Sequence, residues 1–196
     1  MHKRTLIFIG GVPGAGKTAL SSWMELQYEN RIKLLNPGEL FRRYFYKERI
    51  KTIEEIEELI AGELGKALSD SAAVAHWHYA VRRPSGYIPQ ISFSRLRRLA
   101  KSGQVDRALL LLIDAPAEVI RERRLRDQAI KKREPVLPII HEELWTEEEF
   151  WVMHQALFSD ILGDDRVTAL RLANIDFCKT KANLEEIFSS FLLSKS

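Results

Sequence analysis

The stretch LIFIGGVPGAGKT, residues 6–18, limits what this chain can fold into more than any other. Residues 4–9 read as an apolar, β-rich run that stops at Gly10 and Gly11, which is how a strand buried on both faces of a parallel sheet looks. The next residues, Gly11, Gly14, Gly16, Lys17 and Thr18, fit the pattern G-x-x-x-x-G-K-[ST], and a helix is predicted from about Gly16 to Glu29. A strand before this pattern and a helix after it give the glycines a purpose. With no side chains in the way, the backbone wraps closely enough for successive N–H groups to point at one phosphate, and the positive end of the helix adds to the attraction. Gly11, Gly14, Ala15, Gly16, Lys17, Thr18 and Ala19 are therefore the expected nucleotide-phosphate site. Lys17 would face the β and γ phosphates and the Thr18 hydroxyl would ligate Mg²⁺, so ATP and Mg²⁺ are the expected cofactors.

Strands and helices alternate along the rest of the chain. Residues 32–36, IKLLN, make a short second strand stopped by Pro37 and Gly38, and GELFRRYFYKE reads as helical. Thr52 and Glu55 form a capping-box pattern, opening a helix whose Ile53, Ile56, Leu59, Ile60, Leu64 and Leu68 recur at helical spacing and which ends near Asp70. Residues 72–81, AAVAHWHYAV, suggest a third strand, then a loop, RRPSGYIPQ, and a helix from about Phe93 to Lys101. RALLLLIDAP, residues 107–116, is a strong strand, with Pro116 opening the next helix. Pro135 and Pro138 make REPVLPII a loop, and Thr146 with Glu149 suggests a second capping box ahead of a core stripe of Phe150, Met153, His154, Leu157, Phe158 and Ile161. RVTALRLA is the fifth strand, and a last helix runs from about Lys181 to Leu193. The expected architecture is α/β, the three-layer P-loop NTPase fold: a five-stranded parallel sheet with helices on both faces, joined by right-handed crossovers.

Composition narrows the class. A chain of 196 residues suits one domain, and no apolar run approaches the roughly 20 residues that a membrane helix needs, so no membrane partner is expected. The lone Cys178 can form no internal disulfide; a packing role and a reducing, cytoplasmic setting are expected. The net charge of +3 and pI near 9.0 favour anionic partners. Nucleotide substrates satisfy that charge; nucleic acid is compatible with it but not required, and it leaves the oligomeric state open. Arg121, Arg123, Arg124, Arg126, Lys131, Lys132 and Arg133 crowd into one segment. No guanine-reading N-K-x-D follows a later strand, which argues against a GTPase, and the chain is short for an AAA-type motor.

Taken together, these segments resemble the adenylate kinase family of nucleoside monophosphate kinases, especially its compact archaeal-type branch, over nearly the whole chain. GVPGAGKT is similar to that family's phosphate loop. LNPGELFRR, residues 35–43, is similar to its acceptor-phosphate element, which implies Gly38 at the turn and Arg42 on the acceptor. HWHYAVRRPSGYIP, residues 76–89, resembles the stretch in which an aspartate and a histidine end the third strand, with His78 at the histidine position and Arg82 or Arg83 as a second acceptor contact. IDAPAEVIRERRLRD, residues 113–127, resembles the fourth strand and the helix bearing the lid arginines, Arg124 and Arg126, with Arg133 beyond it. The resemblance implies a single P-loop kinase domain, 1–196, with an acceptor-binding segment at about 37–71 and a short lid at about 123–140. The implied activity is γ-phosphoryl transfer from MgATP to a nucleoside monophosphate, AMP foremost.

His76 departs from the pattern by standing where the family has its acidic metal partner, and Asp114 on the neighbouring strand is the substitute metal residue. His76 and His78 share a strand face but have no third ligand in view. Tyr87 is a candidate for stacking on a base. Two further readings remain: a kinase for a small-metabolite hydroxyl, with Glu39 as base, and a nucleotide-binding switch or RNA-associated factor with weak catalysis.

Overall fold

A computed structural model describes residues 3–128 and 133–193. Five strands form one parallel sheet: β1 (Thr5–Gly10), β2 (Ile32–Leu35), β3 (Ala72–His76), β6 (Arg107–Asp114) and β7 (Val167–Ala173), in the order β2-β3-β1-β6-β7. β4 (Val81–Arg83) and β5 (Gly86–Ile88) form a separate antiparallel hairpin. The helices are α1 (Lys17–Gln27), α2 (Pro37–Phe41), α3 (Ile53–Asp70), α4 (Phe93–Lys101), α5 (Ala117–Asp127), α6 (Leu137–Leu162) and α7 (Phe177–Leu193). A π-helical turn, Arg42–Lys47, extends α2.

β1 shows why the sheet needs helices on both sides. Leu6 and Phe8 face a core that includes Ile56 and Leu64 of α3, Leu96 of α4 and Phe158 of α6. Ile7 and Ile9 point the other way, into a core with Leu20 and Met24 of α1, Ile120 of α5 and Phe188 of α7. Side chains alternate along a strand, so a fully buried run must meet apolar layers above and below. The expected three-layer fold and its five parallel strands are present. The Thr52–Glu55 capping box is formed in both directions, at 3.2 and 2.7 Å.

Several local expectations change. The third strand stops at His76, because its neighbour β1 ends at Gly10 and the Trp77 N–H to Ile9 carbonyl bond, 2.8 Å, is the last one available. The segment read as the loop RRPSGYIPQ holds the β4–β5 hairpin, turned at Pro84 and Ser85 and re-entered at Gly86, whose φ of +113° suits glycine. α6 begins at Leu137, within the supposed proline loop; Pro138 lies in its first turn, where a missing N–H costs nothing. Thr146 is then mid-helix, its hydroxyl donating to the Glu142 carbonyl at 2.8 Å rather than capping, and Met153 of the expected core stripe is 48% exposed. α7 starts at Phe177, where Asp176 accepts the Cys178 N–H at 2.8 Å, and Cys178 is exposed instead of packed.

Candidate active site: a phosphate loop facing four arginines

The loop between β1 and α1 is held in shape from several sides. Gly10 lies against the ring of Tyr79, so a β-carbon there would occupy the ring's space; the Tyr79 hydroxyl donates to the Leu111 carbonyl at 3.1 Å. Gly16 has φ of +99° and its missing β-carbon leaves room for the Asn174 amide, which donates to the Ala15 carbonyl at 2.7 Å. Gly16 is also the N-cap of α1, with no side chain on the first turn's N–H groups and no acidic residue there. Those donors face outward with the positive helix end behind them, which suits an anion.

Lys17 is 4% exposed, and its Nζ donates to the carbonyls of Gly11 and Val12, the latter at 3.2 Å. Burial pushes its pKa below the usual lysine value, against the pull of the Glu147 carboxylate. Glu147, from α6, is 3% exposed and accepts N–H bonds from Gly11 at 2.8 Å, Tyr79 at 2.8 Å and Ala80 at 3.0 Å. Burial raises its pKa, while Lys17 and the three donors favour the charged form.

In front of the loop lies a cavity of about 1140 Å³. Gly14, Gly16, Lys17, Thr18 and Ala19 line its loop side. Gly38 and Arg42 line another side, together with Asn36 and Glu39, and Arg42 sits 4.0 Å from Glu39. His76 and His78 also line it, their rings stacked with centroids 6.4 Å apart. Burial, Lys17 and His76 hold His78 well below the ordinary histidine range, leaving it neutral. Arg126 and Arg133 complete the wall with Arg123 and Asp127.

Other expected site residues lie elsewhere. Gly11 and Ala15 shape the loop from behind, Ala15 fully buried. Arg124, expected on the donor phosphates, is 1% exposed and turned away from the cavity: it donates to the Pro13 carbonyl at 3.0 and 2.8 Å, to the Glu134 carbonyl at 2.9 Å and to Glu143. Asp114, expected on the metal, pairs with Arg171 at 2.7 Å, off the cavity. Arg82 and Arg83 ride on the hairpin, away from the cavity lining; Arg83 donates to the Tyr46 hydroxyl at 2.9 Å and its guanidinium lies over the Phe41 ring. Tyr87 pairs with Arg82 across the hairpin, also off the cavity. Lys131 and Lys132, within the expected lid, lie outside the described residues.

Sequence reasoning missed Glu147, Asn174 and Asn36; Arg123 it placed only within the basic lid run. Glu147 was hidden by the false capping box around it. Asn36 and Asn174, polar residues just past the ends of β2 and β7, carried a readable signal, since the carboxyl ends of parallel strands converge on the site.

Among the described residues no group of three His, Cys, Asp or Glu could hold a metal ion. The oxygen donors on the cavity, the Thr18 and Ser22 hydroxyls and the separate Glu39 and Asp127 carboxylates, form no cluster of three acidic ligands, which fits a Mg²⁺ ion carried in on nucleotide phosphates and water, not one caged by protein.

A parallel sheet in this strand order, with the glycine loop running from its central strand into a helix, defines a P-loop fold. The chain belongs to the AAA domain family, whose model matches residues 10–136. That assignment concerns the P-loop core and says nothing of motor action. Among solved structures, the chain is similar to the shikimate kinase from Acinetobacter baumannii in complex with shikimate: 16% identity, TM-score 0.49, covering 97% of this chain and 94% of that one. A likeness this distant decides nothing about substrate. No curated protein sequence matches the chain. Among the described residues no helix is long and apolar enough to cross a membrane.

Proposed function

We propose that the protein is an ATP-dependent phosphotransferase that moves the γ-phosphoryl group of MgATP to a nucleoside monophosphate, with AMP the first acceptor to test. The observation that carries this reading is one shared cavity: the phosphate loop, Arg42 from the α2 side and Arg126 with Arg133 from the α5 side all face the same space. At about 1140 Å³ it exceeds the roughly 300–1,000 Å³ typical of a site for one small ligand. Two phosphate-bearing substrates meeting end to end would account for both the size and the cations.

In this reading the loop amides and Lys17 hold the donor's β and γ phosphates, and Arg42 holds the acceptor phosphate in line. Arg126 and Arg133 face the transferring group, where charge builds on the equatorial oxygens. Mg²⁺, bound through nucleotide oxygens and Thr18, would supply further neutralisation of that charge. The four arginines on the wall surround the transferring group with positive charge, which suits a reaction that needs positioning and charge stabilisation more than proton removal. Glu39 on the cavity wall supports one second reading, transfer to a metabolite hydroxyl with Glu39 as base.

A coupled assay with MgATP across AMP, CMP, GMP, UMP and dTMP tests the proposal. Turnover with at least one is expected; ATP binding with no monophosphate turned over defeats it. Lys17→Ala is expected to abolish transfer. Arg42→Ala is expected to raise the acceptor KM tenfold or more, and an unchanged acceptor KM removes Arg42 from that role.

A further inference from the structure

Glu147 is the most buried carboxylate described, and neither the loop pattern nor the expected arginines give it a task. It reaches from α6 to three backbone N–H groups on two separate segments. One, Gly11, opens the phosphate loop; the others, Tyr79 and Ala80, follow His78 in the turn after β3. Oε1 takes both Gly11 and Tyr79, so the two segments are tied at a single atom. β1 and β3 have no further ladder bond there, because their pairing ends at Trp77 N–H to Ile9.

We propose that Glu147 is the positioning residue of the phosphate loop: its carboxylate fixes where the loop leaves β1 and holds it in register with the turn that carries His78 onto the cavity. It touches no substrate and acts through Gly11. The same side chain places a negative charge beside Lys17, and that charge by itself opposes an incoming anion. The two effects therefore have opposite signs for phosphate binding, which makes them separable. The proposal rests on the phosphate-binding half of the reading above and not on any acceptor.

The test compares MgADP affinity, by titration calorimetry, in the full chain and three variants, each at a temperature where thermal unfolding shows it folded. Glu147→Gln removes the charge but keeps an oxygen able to accept from Gly11 and Tyr79; it is expected to bind MgADP as tightly as the parent or more so. Glu147→Ala removes both bonds and charge and is expected to bind at least tenfold more weakly. Glu147→Asp keeps the charge on a side chain one methylene shorter, and the same weakening is expected; it stands in where the alanine variant does not fold. A residue needed only for stability would shift the melting temperature of all three while leaving the affinity of folded protein unchanged. Equal affinity in the glutamine variant and in both shortened variants overturns the proposal. Every readout is independent of phosphoryl transfer, so a failed acceptor assay does not affect it.

Discussion

His154 shows how much one side chain can tie stability to pH. Its ring is fully buried, Nδ1 lies 2.6 Å from the Phe150 carbonyl, and Phe8, Trp77, Tyr79 and Phe93 surround it with centroids between 4.9 and 6.4 Å. Burial lowers its pKa to about 4. The unfolded chain, with an ordinary histidine, therefore binds the extra proton first as pH falls. The stability from keeping this ring neutral is complete above the unfolded pKa near 6.5 and is lost between there and about 4, amounting to roughly 3 kcal/mol by linkage. Urea midpoints of parent and His154→Phe, measured from pH 7.5 to 4, should show the parent losing more. Parallel curves would remove His154 as the cause. Gly16 bears on stability through backbone and space instead: an alanine would be forced to φ of +99° and into the space of the Asn174 amide. Gly16→Ala should lower stability by about 1–3 kcal/mol, read from denaturant melts, and weaken MgADP binding. The loop glycines, Lys17 and Thr18 were legible because their spacing is itself the geometry. Arg124 was not, since an arginine in a basic run reads the same whether it faces a cavity or, as here, a carbonyl cage.

At the scale of elements, α5 is anchored to the back of the phosphate loop. Arg123 donates to the Gly14, Ala15 and Asn174 carbonyls at 3.3, 3.2 and 2.7 Å, next to the Arg124 cage on Pro13, Glu134 and Glu143. Arg124→Met should cost about 3 kcal/mol, because it leaves buried carbonyls and the mostly buried Glu143 without their partner. The change should also weaken MgADP binding in protein that remains folded; a loss of stability alone would mean that the cage does not shape the loop. Thr52→Ala should cost about 1 kcal/mol by removing the cap of α3, which lies off the cavity lining, with MgADP affinity unchanged. Element identity was legible wherever periodicity and stop signals agreed, as in β1, α3, α4 and β6. It failed at residues 77–90 and 135–149. There the outcome hung on where a neighbouring strand ended and on a proline that happened to fall in a first turn, neither of which periodicity records.

For the whole molecule, the cavity forms where the carboxyl ends of β1, β2 and β3 meet α5, so a ligand filling it joins segments from both core layers. Saturating MgADP should therefore stabilise the protein as one cooperative unit. At a hundred times its dissociation constant the gain is about 2.7 kcal/mol, a rise in melting temperature of roughly 5–10 °C for a chain of this size. A rise of that kind that disappears in Lys17→Ala would assign it to the loop. The parallel sheet with helices on both faces could be drawn from the alternation of strands and helices, but the strand order and the tie between layers could not, because the tie depends on contacts between residues more than 100 positions apart, such as Gly11 and Glu147. α6 carries that tie. It is one unbroken rod of 26 residues, about 39 Å long, with Glu143 on the Arg124 cage and Glu147 on the loop about one turn apart near its start. A rod moves as a body. Its first turns therefore hold the Arg124 cage of α5 and the phosphate loop in one fixed relation, so neither can be repositioned without the other.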